Sequence, residues 1–228
     1  EIDVSTIKAD AITASTGTNT NIAITGKGSG KVKLGDGNLL FPDADGSAGQ
    51  YIKTDGSANL AFATLPTAGF TLGTPVASTS GTSIDFTGIP SGTKQITLTF
   101  TGVSTNGTSH PIIQLGDSGG VETSGYLGTG AVLAAGPAYA LFTAGLGIVA
   151  SGGGWATTRF VHGIITLTLQ DASTFTWAGS AWLAGSDAAN FYVGGTGKSL
   201  SAELDRVRVT TVGGSDTFDA GKINIAYI

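Results

Sequence analysis

The feature that most constrains this chain is the shallowness of its first apolar pattern. The stretch "NIAITGKGSGKVKLGDGNLLF" (Asn21 to Phe41) alternates apolar and polar residues at the period of a β-strand, but each apolar set is only two residues deep. Ile22 and Ile24 share one face, Val32 and Leu34 share another after the "GKGSG" turn, and Leu40 follows a "GDG" turn. The next stretch, "FPDADGSAGQYIKTDGSANLAFAT" (Phe41 to Thr64), repeats the scheme with two DGS turns. Isolated hairpins of this kind are marginal, and a chain cannot close a core from strands that bury almost nothing. Several identical chains wound about a common axis can, because each covers the open strand edges of the others. Residues 1–66 therefore read as a β-rich fibre shaft whose core lies between chains, and three chains form the smallest closed prism.

The first of the DGS turns begins like a calcium loop, with Asp43 and Asp45. Counting twelve positions from Asp43 gives Thr54, where an EF-hand requires a bidentate glutamate. A turn with Asp side chains accepting from nearby backbone amides is the expected structure.

The pattern changes near "TLPTAGF", around Pro66. Beyond it the alternating runs lengthen. "KQITLTFTGV" (Lys94 to Val103) sets Ile96, Leu98 and Phe100 against threonines. "RFVHGIITLTLQ" (Arg159 to Gln170) does the same with Ile165, Leu167 and Leu169, and "AELDRVRVTTV" (Ala202 to Val212) slips phase once near Asp205. Turn sequences such as "GIPSGT", "VSTNGTS", "LGDSGG" and "TVGGSD" separate them. With 37 glycines and no long Leu/Ala/Glu/Lys run, the expected fold is all-β: the intertwined shaft, then an antiparallel β-sandwich or jelly-roll-like head over 67–228. The uncharged stretch Gly128 to Ala150 has the length of a membrane span, but its glycines, alanines and Pro137 make a poor helix. Two or three buried strands broken at Gly136-Pro137 and Gly145 are expected there, with no membrane insertion.

Composition narrows the function. The formal net charge is -5 and no basic stripe occurs, which argues against a nucleic-acid partner. The absence of cysteine removes disulfides and thiolate metal sites. No methionine occurs either, so further sequence before Glu1 is expected.

Several motifs carry a family resemblance. "LGDGNLLFPDADGSAGQYIKTDGSANLAF" resembles an element repeated in the shafts of trimeric bacteriophage tail fibres. "IDFTGIPSGTKQITLTFTGVSTNGTS", "IQLGDSGG" and "TFDAGKINIAYI" are similar to the head domains of such fibres. The resemblance spans roughly residues 20–118 and 199–228 and rests on turn-rich motifs. It implies a homotrimeric virion protein of a tail or capsid fibre, extracellular, with a distal head and an N-terminal part that joins other virion proteins. The head would bind a bacterial surface glycan or protein noncovalently. A capsid spike, decoration or fibre-connecting protein without a receptor is the alternative the same resemblance allows.

Sequence patterns offer no catalytic set, metal site or cofactor. His110 and His162 lack partners at ligand spacing, and no GxSxG elbow precedes a helix. Both histidines are expected in the core or at an interface. Among the acidic residues of the head no pair stands out for glycoside hydrolysis. Arg206 and Arg208 share a strand face, with Glu203 and Asp205 nearby, and suggest a solvated ion-pair face. The receptor-binding candidates are aromatic, because sugar rings stack on exposed aromatic faces while polar neighbours read hydroxyls. Trp155 follows three glycines on an expected loop. Trp177 and Trp182 flank "AGSA", read as a hairpin tip. Asp187, Asn190 and Tyr192 fall in "SDAANFYVGG", and Tyr126 in "ETSGYLGTG".

Overall fold

The computed structural model describes residues 33–34, 39–42, 44–57, 59–65, 69–148, 155–186 and 190–228. Strands β1 (Lys33–Leu34), β2 (Leu39–Leu40), β3 (Gln50–Thr54), β4 (Leu60–Thr64), β5 (Thr71–Leu72) and β6 (Val76–Ala77) come first. They are followed by β7 (Ser83–Thr87), β8 (Gln95–Thr105), β9 (Pro111–Asp117), β10 (Gly120–Val121), β11 (Leu127–Leu133) and β12 (Ala138–Phe142). Strands β13 (Leu146–Gly147), β14 (Val161–Asp171), β15 (Thr176–Gly185), β16 (Phe191–Ser199), β17 (Leu204–Thr211) and β18 (Phe218–Tyr227) complete the series. The protein is all-β, its strand pairs are antiparallel, and the chain divides into two compact units, Glu1–Thr67 and Ala68–Ile228.

In the first unit β1 pairs with β2 and β3 with β4. The second DGS turn builds the β3–β4 hairpin. Asp55 Oδ1 accepts from the Ser57 and Asn59 amides at 2.7 and 3.1 Å, Oδ2 accepts from Asn59 Nδ2 at 2.8 Å, and Gly56 supplies a φ of +80°. In the first DGS turn Asp45 Oδ1 accepts from the Gly46 amide, as expected of a turn, while Asp43 lies outside the described residues. The hairpin encloses no core of its own: Tyr51 and Ile52 are exposed, and no residue of β3 or β4 is fully buried. Ile22, Ile24 and Val32 lie outside the described residues.

The second unit is a β-sandwich. One sheet has nine strands in the order β12-β11-β16-β15-β14-β8-β18-β5, with β6 also on β18. The other has five, in the order β10-β9-β17-β7, with β13 also on β9. Period-two alternation decides the packing. From the larger sheet, Ile96, Leu98, Phe100, Ile165, Leu167, Ile223 and Ile225 point inward. They meet Ile84, Phe86, Ile113, Leu115, Val207 and Val209 from the smaller one, all in a single core cluster. Each such side chain contributes about 1.5–3 kcal/mol when fully buried. The phase slip read near Asp205 is a β-bulge between Leu204 and Arg206.

Register also shifts side by side across three strands of the larger sheet, with the extra residue on the middle one, β8. Register shifts separate Val161 from Gly163 on β14 and Ala220 from Lys222 on β18. Gly163 has φ +138° and Gly221 φ +89°, and the strand between them carries Gly102 at φ +63°. A Cβ at Gly163 would lie 2.4 Å from the Trp182 carbonyl oxygen, and one at Gly221 2.3 Å from that of Gly102. Only glycine permits both the backbone conformation and the approach of the neighbouring strand.

The stretch 128–148 forms β11, β12 and β13, broken near Gly136-Pro137 and at Gly145 as its turn residues predict. These strands are not all buried, however. Leu127, Tyr139 and Leu141 are each 82% exposed, because β11 and β12 form the end of the larger sheet and present one face outward.

Candidate functional site

Five of the seven aromatic and polar candidates are interior residues, contrary to the exposed loops expected of them. The Trp155 ring turns into the sandwich. It lies 6.0 Å from the Tyr192 ring, and the Arg159 guanidinium sits 5.9 Å from both ring centroids. The Trp155 amide donates to the Thr108 carbonyl at 2.8 Å. Tyr192 belongs to β16 and faces the core, and buried Asn190 donates to its hydroxyl at 3.4 Å.

Tyr126 acts as an internal pin. Its hydroxyl receives the Leu115 amide at 2.6 Å and donates to the Glu122 carbonyl at 3.0 Å. Burial pushes its phenol far above the ordinary range. The Lys198 ammonium lies 5.4 Å from the ring centroid and pairs with the Glu122 carboxylate. Burial alone would raise Glu122. Lys198 and the amide and hydroxyl of Ser201 more than offset it, and the carboxyl sits below its usual value.

Trp177 and Trp182 do not flank a turn. Thr176–Gly185 is one continuous strand, paired along its length with β14 on one side and β16 on the other. Five residues apart on a strand, the two rings point to opposite faces. Trp177 enters the core at 2% exposure, and Trp182 stands outside at 60%. Asp187 lies outside the described residues.

Trp182 is the centre of a face that the sequence reading did not assemble. Strand register sets Tyr139, Ala131, Val193, Trp182 and Ile164 in one row across β12, β11, β16, β15 and β14. The adjacent row holds Leu133, Phe191, Ala184 and the partly exposed His162. Phe191 stacks beside Trp182 with ring centroids 6.0 Å apart and planes tilted by 39°. On the other side of the first row, Leu127 and Leu141 border a hollow of about 480 Å³. Among the described residues, no Asp, Glu, Lys or Arg projects from this part of the sheet. Past β14 the same face becomes polar, with Thr97, Thr99 and Thr101 on β8 and Lys222 and Asn224 on β18. Lone exposed apolar residues are ordinary, whereas a contiguous, uncharged group of large ones marks a contact surface.

The opposite outer face, on the five-stranded sheet, is polar. Arg208 pairs with Asp85 through two bonds of 2.6 and 3.0 Å, and Arg206 pairs with its neighbour Asp205. The ion-pair face expected of these arginines is present, with Asp85 from β7 as the partner of Arg208. Asp117 is held below its usual carboxyl range chiefly by the Ser201 hydroxyl and the Gly119 amide.

The histidines sit in structural roles. His162 Nδ1 accepts from the Gly102 amide at 3.1 Å, so its proton resides on Nε2 and faces Ser186 Oγ at 3.2 Å. That tautomer cannot take a proton from the serine, so the pair is not arranged as a nucleophile and base. His110 lies edge-on to Phe142, and burial lowers its pKa. Among the described residues, no three His, Asp or Glu side chains converge to hold a metal. No helix there is long and apolar enough to cross a membrane.

No family model, curated protein or solved structure matches the chain.

Proposed function

We propose that the chain is a structural fibre protein of a bacteriophage virion, a homotrimer whose β-sandwich head meets the bacterial surface by noncovalent, multivalent contacts. The observation that carries this reading is the uncharged face around Trp182 and Phe191. It suits contact with identical chains, leaving the polar sheet on the other side of each head in water. The exposed β3–β4 hairpin fits the same scheme, since its apolar residues also lack partners within the hairpin. Weak single sites on three heads would then add through avidity.

Light scattering on the purified chain, at micromolar and at much lower concentration, tests the assembly. Adsorption to bacterial cells tests the contact. A persistent trimer that adsorbs to cells is the expected outcome. A trimer that adsorbs to no bacterium tested would favour a spike or connecting protein without a receptor. A stable monomer would defeat the fibre reading itself.

A further inference from the structure

Resting on the reading of the head as a surface-binding module, we propose that the outer face of the five-stranded sheet carries a binding cleft for a neutral saccharide. The cleft encloses about 360 Å³, within the roughly 300–1,000 Å³ of small-ligand sites. Strand register builds its floor: Ser83, Thr210 and Ile112 lie side by side on β7, β17 and β9, and Arg208 and Gln114 form the next row. Ala144 and Thr123 wall one side, and the Gly213-Gly214 turn closes an end.

The polar groups of this floor are fixed before any ligand arrives. Asp85 holds the Arg208 guanidinium by Nε and one terminal nitrogen, which leaves the N–H groups of Nη1 unused by that pair. Gln114 is 6% exposed and donates from Nε2 to the Ala144 carbonyl at 2.9 Å, so its amide plane is set and its oxygen is an acceptor. Thr210 donates to the Thr82 carbonyl at 2.8 Å, which leaves the hydroxyl lone pairs to accept. Fixed donors and acceptors thus sit at neighbouring positions of adjacent strands. Sugar hydroxyls, which both donate and accept, match such an array, and preorganisation removes part of the ordering cost.

Charge selects among sugars. Asp85 neutralises Arg208, and among the described residues no other cation lines the cleft, so a uronate or sialic acid gains no net attraction there. No aromatic ring of the described residues lines it either, so single-site affinity is weak and three copies are needed for firm attachment.

Saturation-transfer NMR on the full chain tests the site, with free neutral hexoses, N-acetylhexosamines and hexuronates as probes. Transfer to one or more of the neutral sugars is expected. Arg208→Ala should weaken it about tenfold through loss of a charge-assisted bond. Thr123→Trp, a change at an exposed rim position, should abolish it by filling the mouth, and Thr99→Ala, exposed on the opposite sheet, should leave it intact. Transfer to hexuronates alone, or transfer to neutral sugars that survives Thr123→Trp, overturns the proposal. So does absence of transfer in a wild-type chain that adsorbs to cells, and there the surface-binding reading stands. Sugar transfer without cell adsorption does the reverse: it upholds the cleft and counts against that reading.

Discussion

Trp182→Ala offers the sharpest separation between a contact surface and a merely exposed residue. A tryptophan side chain carries up to about 250 Å² of surface, and Trp182 leaves 60% of itself uncovered. About 150 Å² are therefore open to a partner chain, worth about 4 kcal/mol at about 25 cal/mol/Å². Alanine would retain a minor share, so the substitution should cost assembly about 3 kcal/mol per protomer, or roughly 150-fold in affinity. Light scattering over a dilution series reads this as dissociation at much higher concentration than wild type. Fluorescence supplies an independent check, because Trp155 and Trp177 are buried and Trp182 alone of the three tryptophans is open within one chain. In wild type, acrylamide quenching should rise as dilution exposes Trp182. The alanine variant should show only the slow quenching of two interior rings at every concentration. If Trp182→Ala leaves the assembly curve unchanged, or if wild-type quenching is fast and independent of concentration in an intact trimer, the apolar sheet face is not the contact between chains.

Three further outcomes follow from the same geometry. Trp177→Ala should lower unfolding stability by about 3–5 kcal/mol in denaturant titrations, because its ring fills the core. Gly163→Ala should cost about 2–3 kcal/mol, since φ +138° and the Trp182 carbonyl both exclude a Cβ, whereas Gly197→Ala, with open space around it, should be near neutral. Acid should destabilise the head in two stages, read as unfolding midpoints against pH. His110, lowered from 6.5 by burial, binds its proton more readily when unfolded, so stability falls as pH drops below about 6.5. Glu122, lowered from 4.5, contributes stability above that pH that is lost as pH falls through its depressed folded value, and Glu122→Gln should flatten this second slope.

The long strands of the head were readable from period two alone. Ile96, Leu98 and Phe100, or Ile165 and Leu167, announce both a strand and its inward face. The stretch around β11 and β12 gave no such direction, because apolar residues occupy both parities. Val132 and Phe142 are buried while Leu133 and Leu141, their immediate neighbours, face out. Trp177 and Trp182 were misplaced because small residues between them resemble a turn. Their backbone pairs on both sides, an arrangement set by strands elsewhere in the chain. The polar cleft was invisible for a related reason. Ser83, Gln114 and Arg208 are far apart in sequence, and only strand register makes them neighbours.

The position of β18 has a consequence for synthesis. This strand is the last in chain order, yet it lies inside the larger sheet and supplies one whole flank of β8. Leu98 must wait for Ile225, and Ile84 on the smaller sheet must wait for Val209. A head emerging from the ribosome therefore cannot close by stages. Until its final strand is released it holds β8 as a long open edge, a template for pairing with the wrong neighbour. Many such chains growing on one message would be exposed to each other during that interval. Folding dominated by such distant pairings is intrinsically slow. The yield of folded head should thus depend on how quickly the ten residues of β18 follow the strands before them, and a chaperone that shields β8 should raise it.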